Sequence, residues 1–196
     1  MNVYDFDHTI YDGDSSVDFC CFYLIRHLSL LLCLPVLSFA VIGIKLGFLS
    51  VKRGKEMFFC FLKLRPPNQD DIMDFWKTHS HKMTSWYLEH QQPDDLIISA
   101  SPEFLLQPFV EGVLKKKVIA TKVDTHSGKI HGENCKGKEK AQLFFEQYPL
   151  GRIDRFYSDS LSDAYLANLA ICAFLVIIKS TQKTELYDWP QQKNAN

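Results

Sequence analysis

The chain begins with a short apolar segment that runs directly into two aspartates. Residues 1–4 read MNVY, and Asp5 and Asp7 follow at once. An apolar segment that ends in acids is typical of a buried parallel strand, which delivers polar side chains at its carboxyl end. Side chains two residues apart on a strand point to the same side, so both carboxylates are expected to face one crevice. This start indicates an α/β fold with acids at one edge of a parallel sheet.

The pattern changes twice after this strand. Residues 15–89 form long helical runs, which indicate a helical insertion. Beyond it, apolar runs alternate with helical patterns: strands are predicted at 95–99, 117–121, 154–159 and 174–178, a hairpin at 123–130, and helices from 102, at 137–147 and at 163–170. This alternation predicts a doubly wound, Rossmann-like parallel sheet. We assign residues 1–14 and 94–196 to this core and residues 15–93 to an inserted α-helical cap, and expect the polar tail, residues 191–196, to fray.

Composition and charge narrow the class of protein. The 196 residues fit one domain with an insertion, and a net charge of −1 gives no electrostatic reason to expect a nucleic-acid partner. The six cysteines match no zinc-binding spacing and are expected to be reduced structural thiols. The acidic start lacks the basic residues of an export signal, so the cytoplasm, or the cytoplasmic face of a membrane, is the expected location.

Polar side chains follow the predicted strands at several points. In chain order they are Asp5, Asp7, Ser99, a lysine between 136 and 140, Asp159 and Asp163. The carboxyl ends of parallel strands meet at one edge of the sheet, so these side chains are expected to converge. Several ionised carboxylates in one crevice repel one another unless a cation neutralises them. A hard divalent cation with oxygen ligands, Mg²⁺, is therefore expected.

These pieces occur in the order of four known motifs. The first is Asp5-Phe6-Asp7-His8-Thr9, the second Leu96-Ile97-Ile98-Ser99, the third the lysine, and the fourth the segment from Tyr157 to Asp163. Together they resemble the motifs of the haloacid dehalogenase superfamily of phosphohydrolases. The resemblance covers the whole chain and favours the phosphoserine-phosphatase-like group, whose helical cap follows the first motif.

The resemblance implies a role for each site residue. Asp5 would attack phosphorus and form an aspartyl-phosphate, and Asp7 would protonate the leaving alcohol and later deprotonate water. The implied Mg²⁺ ligands are Asp5, the backbone carbonyl of Phe6, Asp7, Asp159 and, in or next to the shell, Asp163. The implied phosphate-binding residues are Thr9, Ser99, Ala100 and a lysine.

Two lysines compete for the third motif. Lys136 precedes a glycine, as in phosphoserine phosphatases, whereas Gly137 and Lys140 fit the Gly-x-x-Lys of the broader group. We expect Lys140 to be catalytic and Lys136 to bind phosphate, because a side chain one turn into a helix points back to its N-terminal end. Two further residues have structural alternatives: Asp163 also suits a helix cap, and Ser101 is expected to cap the helix that follows it.

An uncharged run, residues 28–44, lies within the cap. It reads LSLLLCLPVLSFAVIGI, and a basic cluster follows it: Lys45, Lys52, Arg53, Lys55, Lys63 and Arg65. A buried cap core and a helix resting in one membrane leaflet are both compatible with this run, while a true span is disfavoured because no second run returns the chain. Basic residues beside an apolar segment attract anionic headgroups, so an anionic membrane surface is an expected partner.

The substrate is expected to be a phosphorylated small molecule or a phospholipid. Asp14 and Ser99-Ala100-Ser101 stand where phosphoserine phosphatases carry glutamate and Ser-Gly-Gly, which disfavours serine specificity. The Ser-Ala-Ser-Pro-Glu segment and the apolar cap resemble relatives that include a bacterial phosphatidylglycerophosphatase of this superfamily. This favours a Mg²⁺-dependent phosphomonoesterase acting on a lipid phosphate such as phosphatidylglycerophosphate. A soluble small-molecule phosphatase, a phosphotransferase and a noncatalytic membrane-associated binding protein are the alternatives.

Overall fold

The computed structural model describes residues 1–190. Six strands within this range form one sheet. Its strands are β1 (Asn2–Tyr4), β2 (Leu96–Pro102), β3 (Lys117–Thr121), β4 (Ile153–Ser158), β5 (Ala170–Ser180) and β6 (Lys183–Asp188). Their order is β3-β2-β1-β4-β5-β6, with β1 to β5 parallel and β6 antiparallel at the edge. The chain leaves β1 toward β2 on one side and returns to place β4 on the other. The predicted doubly wound α/β class is confirmed.

Helices cover both faces of this sheet. Within residues 1–190 the α-helices are α1 (Ser15–Arg26), α2 (Leu34–Lys45), α3 (Val51–Phe58), α4 (Gln69–His79), α5 (Ser85–His90), α6 (Glu103–Val110), α7 (Lys138–Gln147) and α8 (Ala164–Ala167). Val3 and Tyr4 are adjacent on β1 and buried, but they belong to different hydrophobic clusters. Helices α7 and α8 pack in the cluster of Val3, and α1, α4 and α6 pack in that of Tyr4. A central strand buried on both faces is what the apolar N-terminal segment predicts.

The segment between β1 and β2 is helical, as predicted. Helix α1 begins where the side chain of Asp14 accepts the N–H of Val17 at 3.0 Å. Helix α4 begins with a capping box, in which the side chains of Asn68 and Asp71 each accept the other's backbone N–H. The indole Nε1 of Trp76 donates to the carbonyl of Leu105 at 2.8 Å and fixes α4 on α6. The separation of this segment from the core as a cap stays a prediction.

Several element bounds differ from the prediction. The long apolar run that begins at residue 28 is divided into a 3₁₀ helix, Leu28–Cys33, and α2. Pro35 lies in the first turn of α2, where a backbone N–H would have no partner within the helix, so the proline costs no hydrogen bond. The helix predicted at 163–170 is only the four residues of α8, and the strand predicted at 174–178 is the middle of the longer β5. The hairpin is reduced to one bridge between Val123 and Ile130, and β6 was not predicted. The tail predicted to fray, residues 191–196, lies outside the described residues.

The helical segment between β1 and β2 carries an apolar surface. Of the segment Leu28–Lys45, with a mean hydropathy of 2.2, only 28% is buried, and within residues 1–190 it is the one helical segment long and apolar enough to cross a membrane. Helix α2 itself rises about 18 Å, short of the roughly 30 Å of a hydrocarbon core. The exposed large side chains that define this apolar cap surface are Ile25, Leu28, Leu31, Leu32, Leu34, Val36, Phe39, Val41, Ile42, Leu46, Phe48 and Val51.

Candidate active site

A buried lysine joins two carboxylates at the carboxyl edge of the sheet. Asp5 follows β1, and Asp163 lies after β4. The Nζ of Lys140 is 2.9 Å from Oδ2 of Asp5 and donates to Oδ2 of Asp163 at 2.6 Å. Lys140 is on the first turn of α7, and only 1% of its side chain is exposed. Asp163 also accepts from the Ser158 hydroxyl at 3.0 Å and makes no helix-capping bond.

Asp7 is held by hydroxyl and backbone donors. Its Oδ1 accepts the N–H of Ser15 at 2.8 Å, and its Oδ2 accepts the hydroxyl of Ser101. The hydroxyl of Ser16 lies 2.9 Å from that of Ser101. The prediction that Ser101 caps a helix is wrong, because α6 has Pro102 as its N-cap and no side-chain capping bond. Ser101 instead orients Asp7, so strand β2 fixes the second carboxylate of the first motif.

The structure does not place Phe6 and Thr9 at the expected positions. The carbonyl of Phe6 accepts the N–H groups of Thr9, Ile10 and Tyr11 at 3.0–3.3 Å, which leaves it little capacity for a metal. The hydroxyl of Thr9 accepts the backbone N–H of Asp159 at 3.0 Å. Both residues are fully buried and lie outside the cavity described below. They shape the tight turn after β1 and join it to the end of β4, so we do not carry forward Phe6 as a metal ligand or Thr9 as a phosphate-binding residue.

The other predicted residues meet around one cavity of about 630 Å³. We call it the carboxylate cavity. The predicted residues that line it are Asp5, Asp7, Ser99, Ala100, Lys136, Lys140, Asp159 and Asp163. Lys136 is exposed at the rim, in contrast to the buried Lys140. The cavity lies where the strand order reverses between β1 and β4, which is the usual ligand site of an open α/β sheet.

No specific sequence signal marks Lys55 as a site residue. This lysine of α3 lies in the wall of the carboxylate cavity, and its Nζ donates to the carbonyl of Ala100 at 2.8 Å and to Oδ1 of Asn134 at 2.9 Å. Burial lowers the pKa of Lys55, against the opposing charges of Asp14 and Asp7. In sequence it is one member of a basic cluster, and only the packing of α3 against the core brings it to the site.

The carboxylates are crowded, and their pKa values reflect this. Burial, followed by the charge of Asp163, raises the pKa of Asp5 to about 7, although Lys140 opposes the shift. Burial and the charge of Asp14 raise the pKa of Asp7 to about 6, and burial also raises the pKa of Asp159. Burial acts to lower the pKa of Lys140, but its two carboxylate partners outweigh it and raise that pKa. The cavity is therefore rich in carboxylates that favour a neutralising cation.

The donor set fits Mg²⁺. Asp5, Asp7 and Asp159 present carboxylates to the same cavity, while Lys140 is fully engaged with Asp5 and Asp163. Among residues 1–190, no group of three or more His, Cys, Asp or Glu side chains forms a ready-made metal cage. Mg²⁺ rarely needs one, because one or two carboxylates, waters and a substrate phosphate usually complete its shell.

Solved structures share this fold. A protein of unknown function from Bordetella pertussis Tohama I aligns with a TM-score of 0.66 and 17% identity, covering 86% of this chain and 85% of that one. A phosphoserine phosphohydrolase-like protein from Francisella tularensis subsp. tularensis SCHU S4 aligns with a TM-score of 0.57 and 16% identity, covering 88% and 86%. A phospho-aspartyl intermediate analogue of phosphoserine phosphatase aligns with a TM-score of 0.56 and 12% identity, covering 87% and 83%. Among curated protein sequences, none matches significantly.

The family is settled at the level of sequence. The family model described as haloacid dehalogenase-like hydrolase matches residues 3–168, which contain all but the first residue of β1, the helical segment and all the residues of the carboxylate cavity. The neighbouring solved structures agree with a phosphoserine-phosphatase-like fold. The chain belongs to the haloacid dehalogenase-like hydrolases and has the fold of their phosphatases.

Proposed function

We propose that the chain is a Mg²⁺-dependent phosphomonoester hydrolase that works through an aspartyl-phosphate on Asp5. The observation that carries the proposal is the contact of Asp5 with the buried Lys140 beside Asp7 in one cavity. Lys140 supplies a fixed positive charge and holds the nucleophile in one orientation. Asp163 in turn orients Lys140 through a hydrogen bond, and because only 2% of its side chain is exposed we assign it to positioning rather than to the metal.

The reaction follows from the two carboxylates of the first motif. An oxygen of Asp5 attacks phosphorus, the bond from phosphorus to the ester oxygen breaks, and Asp7 gives its proton to the leaving alcohol. Asp7 then takes a proton from water, which attacks phosphorus and releases phosphate and free Asp5. A carboxyl with a pKa of about 6 suits both transfers near neutral pH. Ser99, Ala100 and Lys136 line the cavity beside these groups and would bind phosphoryl oxygens.

Mg²⁺ would be held by Asp5 and Asp159, which leaves the carboxyl of Asp7 for proton transfer. When bound, it supplies positive charge that lets an anionic carboxylate approach an anionic phosphoryl group. Asp159 and Asp5 follow β4 and β1, the two strands at the point where the strand order reverses. Chelation by excess EDTA is expected to abolish turnover, and Mg²⁺ is expected to restore it.

The test of this function is a phosphomonoester panel with Mg²⁺ and the variant Asp5→Asn. The wild type is expected to release phosphate and, after rapid quenching, to carry a phosphate label that hydroxylamine removes, as an acyl phosphate requires. Asp5→Asn is expected to lose both while keeping its circular dichroism spectrum. Turnover that persists in Asp5→Asn would refute the nucleophile.

We propose a lipid phosphate, such as phosphatidylglycerophosphate, as the substrate and the cytoplasmic face of a membrane as the location. The apolar cap surface and the basic residues after it support this, because together they match the apolar and anionic layers of a bilayer. In this proposal residues 15–93 form the cap that rests on the membrane. Exposed apolar surface of this extent is unusual on a soluble monomer.

Two alternatives give distinct products or substrates. A phosphotransferase would pass the phosphoryl group to an added alcohol, so phosphate release would fall below ester cleavage. A soluble small-molecule phosphatase would show equal activity with and without vesicles. The retention of Asp5, Asp7, Lys140 and Asp159 argues against a noncatalytic membrane-associated binding protein.

A further inference from the structure

An apolar groove lies between α1 and α2, beside the carboxylate cavity. Its volume is about 380 Å³, and apart from Ser38 its lining carries no oxygen or nitrogen side-chain atoms; the lining is Val17, Cys20, Cys21, Leu24, Leu34, Leu37, Ser38, Val41, Ile42 and Phe58. Cys20, Leu24 and Leu37 are buried, while 43% of Val17 and 38% of Val41 are exposed. The groove therefore has a packed floor and an open rim.

The groove adjoins the carboxylate cavity. Val17, Val41 and Phe58 line both spaces. On the core side the cavity ends in the carboxylates and Lys140, whereas on the cap side its wall continues through Ile44 and Val51. A molecule with its phosphate at Asp5 thus meets an apolar path that leads away from the charged end. A small polar leaving group would leave this path unfilled.

We infer that this groove binds the hydrocarbon chain of the substrate. The inference rests on the proposed function and names its substrate class: a phosphomonoester whose alcohol carries an alkyl or acyl chain. Removing apolar surface from water drives the binding, and the few polar groups at the other end fix the orientation. The groove would hold the chain of a single substrate molecule, whereas the apolar cap surface, which shares Leu34, Val41 and Ile42 with it, would contact a bilayer.

The test measures the binding of alkylphosphonates by calorimetry with Mg²⁺ present. These compounds carry no ester bond to hydrolyse, and chains from ethyl to octyl are used below the concentration at which they aggregate. Affinity is expected to rise about threefold to fourfold per added methylene until the groove is filled. Ser38→Trp and Cys21→Trp lie at exposed positions on the two walls, and their indole rings would fill the groove. In both variants the affinity is expected to stop rising with chain length. Val36→Trp is the matched control, because Val36 is also exposed on α2 but lies outside the groove. In this variant the affinity is expected to rise with chain length as in the wild type.

The outcomes separate the groove from the proposed function. Equal affinity for all chain lengths in the wild type overturns the groove and leaves the phosphatase in place. An unchanged series in both groove variants, with native circular dichroism, also overturns it. If affinity rises with chain length but no alkyl phosphate is hydrolysed, the groove is supported and the proposed function fails. Absence of phosphonate binding at every length overturns both.

Discussion

Asp163 uses both of its carboxylate oxygens inside the protein. One accepts from Lys140 and Ser158, and the other accepts the N–H of Gly137 at 3.3 Å. Only 2% of its side chain is exposed, against 13% for Asp5, so Asp163 is poorly placed to coordinate an ion as well. Its consequence for catalysis is indirect, because Lys140 depends on it for its orientation toward Asp5.

We predict that Asp163→Asn lowers kcat about 100-fold without changing the Mg²⁺ concentration that gives half-maximal activity. Breaking a buried ion pair costs about 3–5 kcal/mol, so Tm should also fall by roughly 6–20 °C. Steady-state kinetics over a Mg²⁺ titration, and thermal unfolding, check both parts. A large rise in the Mg²⁺ requirement with kcat preserved would return Asp163 to the metal shell.

The burial of Asp7 beside Asp14 destabilises the folded protein when no metal is bound. Because burial and Asp14 raise its pKa to about 6, the folded protein binds this proton more tightly than the unfolded chain. The free energy of unfolding therefore falls as pH rises from about 4 to about 6, by roughly 3 kcal/mol. We predict that Asp7→Asn abolishes turnover yet raises the Tm at pH 8 in EDTA, with a smaller gain at pH 5.

A matched control tests the sign of this effect. The pKa of Asp74 is lowered, first by its hydrogen bond from Lys77 and then by that from Arg26, so its charge favours the folded state. Asp74→Asn is accordingly expected to show no gain in Tm at pH 8. Thermal unfolding of the three proteins in EDTA decides the matter, and an Asp7→Asn protein no more stable than wild type at pH 8 contradicts the prediction.

Lys55 places a charged amine in the wall of the carboxylate cavity. We predict that Lys55→Met raises KM at least tenfold and changes kcat less, since a hydrogen bond from a charged group contributes about 1.5–3 kcal/mol. Lys55→Arg should recover part of the loss. The control is Lys52→Met, because Lys52 lies on the same helix and bonds instead to Gly132 and Glu133 outside the cavity. Equal KM values in the two Met variants would count against a role in binding.

These residues differ in how far sequence could predict them. Asp5 and Asp7 were predictable because the signal lies in adjacent residues: two acids directly follow an apolar strand. Ser101 and Lys55 were not, because their partners lie 94 and 45 residues away for the bonds to Asp7 and Ala100. The contacts of the Phe6 carbonyl were not predictable for a third reason: only the turn after β1 determines where this carbonyl points.

At the level of elements, burial decided which predictions succeeded. β1 and β2 are buried on both faces, and their apolar runs predicted them. β6 lies at the sheet edge, and its sequence mixes charged and apolar residues without a clear pattern. It forms a strand because it pairs with β5, and its own sequence does not predict that pairing. The long apolar run became two elements because local geometry, not hydropathy, determines where a helix begins.

Helices α2 and α3 approach closely at Gly54, and this contact positions Lys55. A Cβ at Gly54 would lie 2.2 Å from Cγ1 of Ile44, which itself lines the carboxylate cavity. Alanine in a helix gains about 0.5–1 kcal/mol over glycine, but overpacking costs about 1–3 kcal/mol. We predict that Gly54→Ala lowers the free energy of unfolding by about 1 kcal/mol, while Arg53→Ala, exposed on the same helix, stays within about 0.5 kcal/mol of wild type. Urea unfolding measures both, and a stabilised Gly54→Ala protein would contradict the close contact.

For the whole molecule, the packing of the helical segment against the sheet relates the carboxylate cavity to the apolar cap surface. Val41 and Val51 belong to that surface and also line the carboxylate cavity. The cavity therefore opens at the border of the surface proposed to meet the membrane. A substrate held in a bilayer would reach Asp5 without leaving its apolar surroundings completely, which a cavity opening elsewhere on the core would not permit.

Because of this geometry, membrane binding and hydrolysis of a soluble substrate can be changed separately. Leu32 is 82% exposed and Phe39 53% exposed, and both lie outside the carboxylate cavity and the apolar groove. Burying one such side chain contributes about 1.5–3 kcal/mol, so Leu32→Asp or Phe39→Asp should weaken binding to anionic vesicles at least tenfold. Hydrolysis of a lipid phosphate in those vesicles should fall in parallel, while kcat/KM for a soluble phosphomonoester stays unchanged. Leu150→Asp is the control, because Leu150 is 99% exposed but lies on the core between α7 and β4. Vesicle sedimentation and phosphate release measure the two effects, and equal vesicle binding by all three variants and the wild type would exclude the apolar cap surface as the membrane contact.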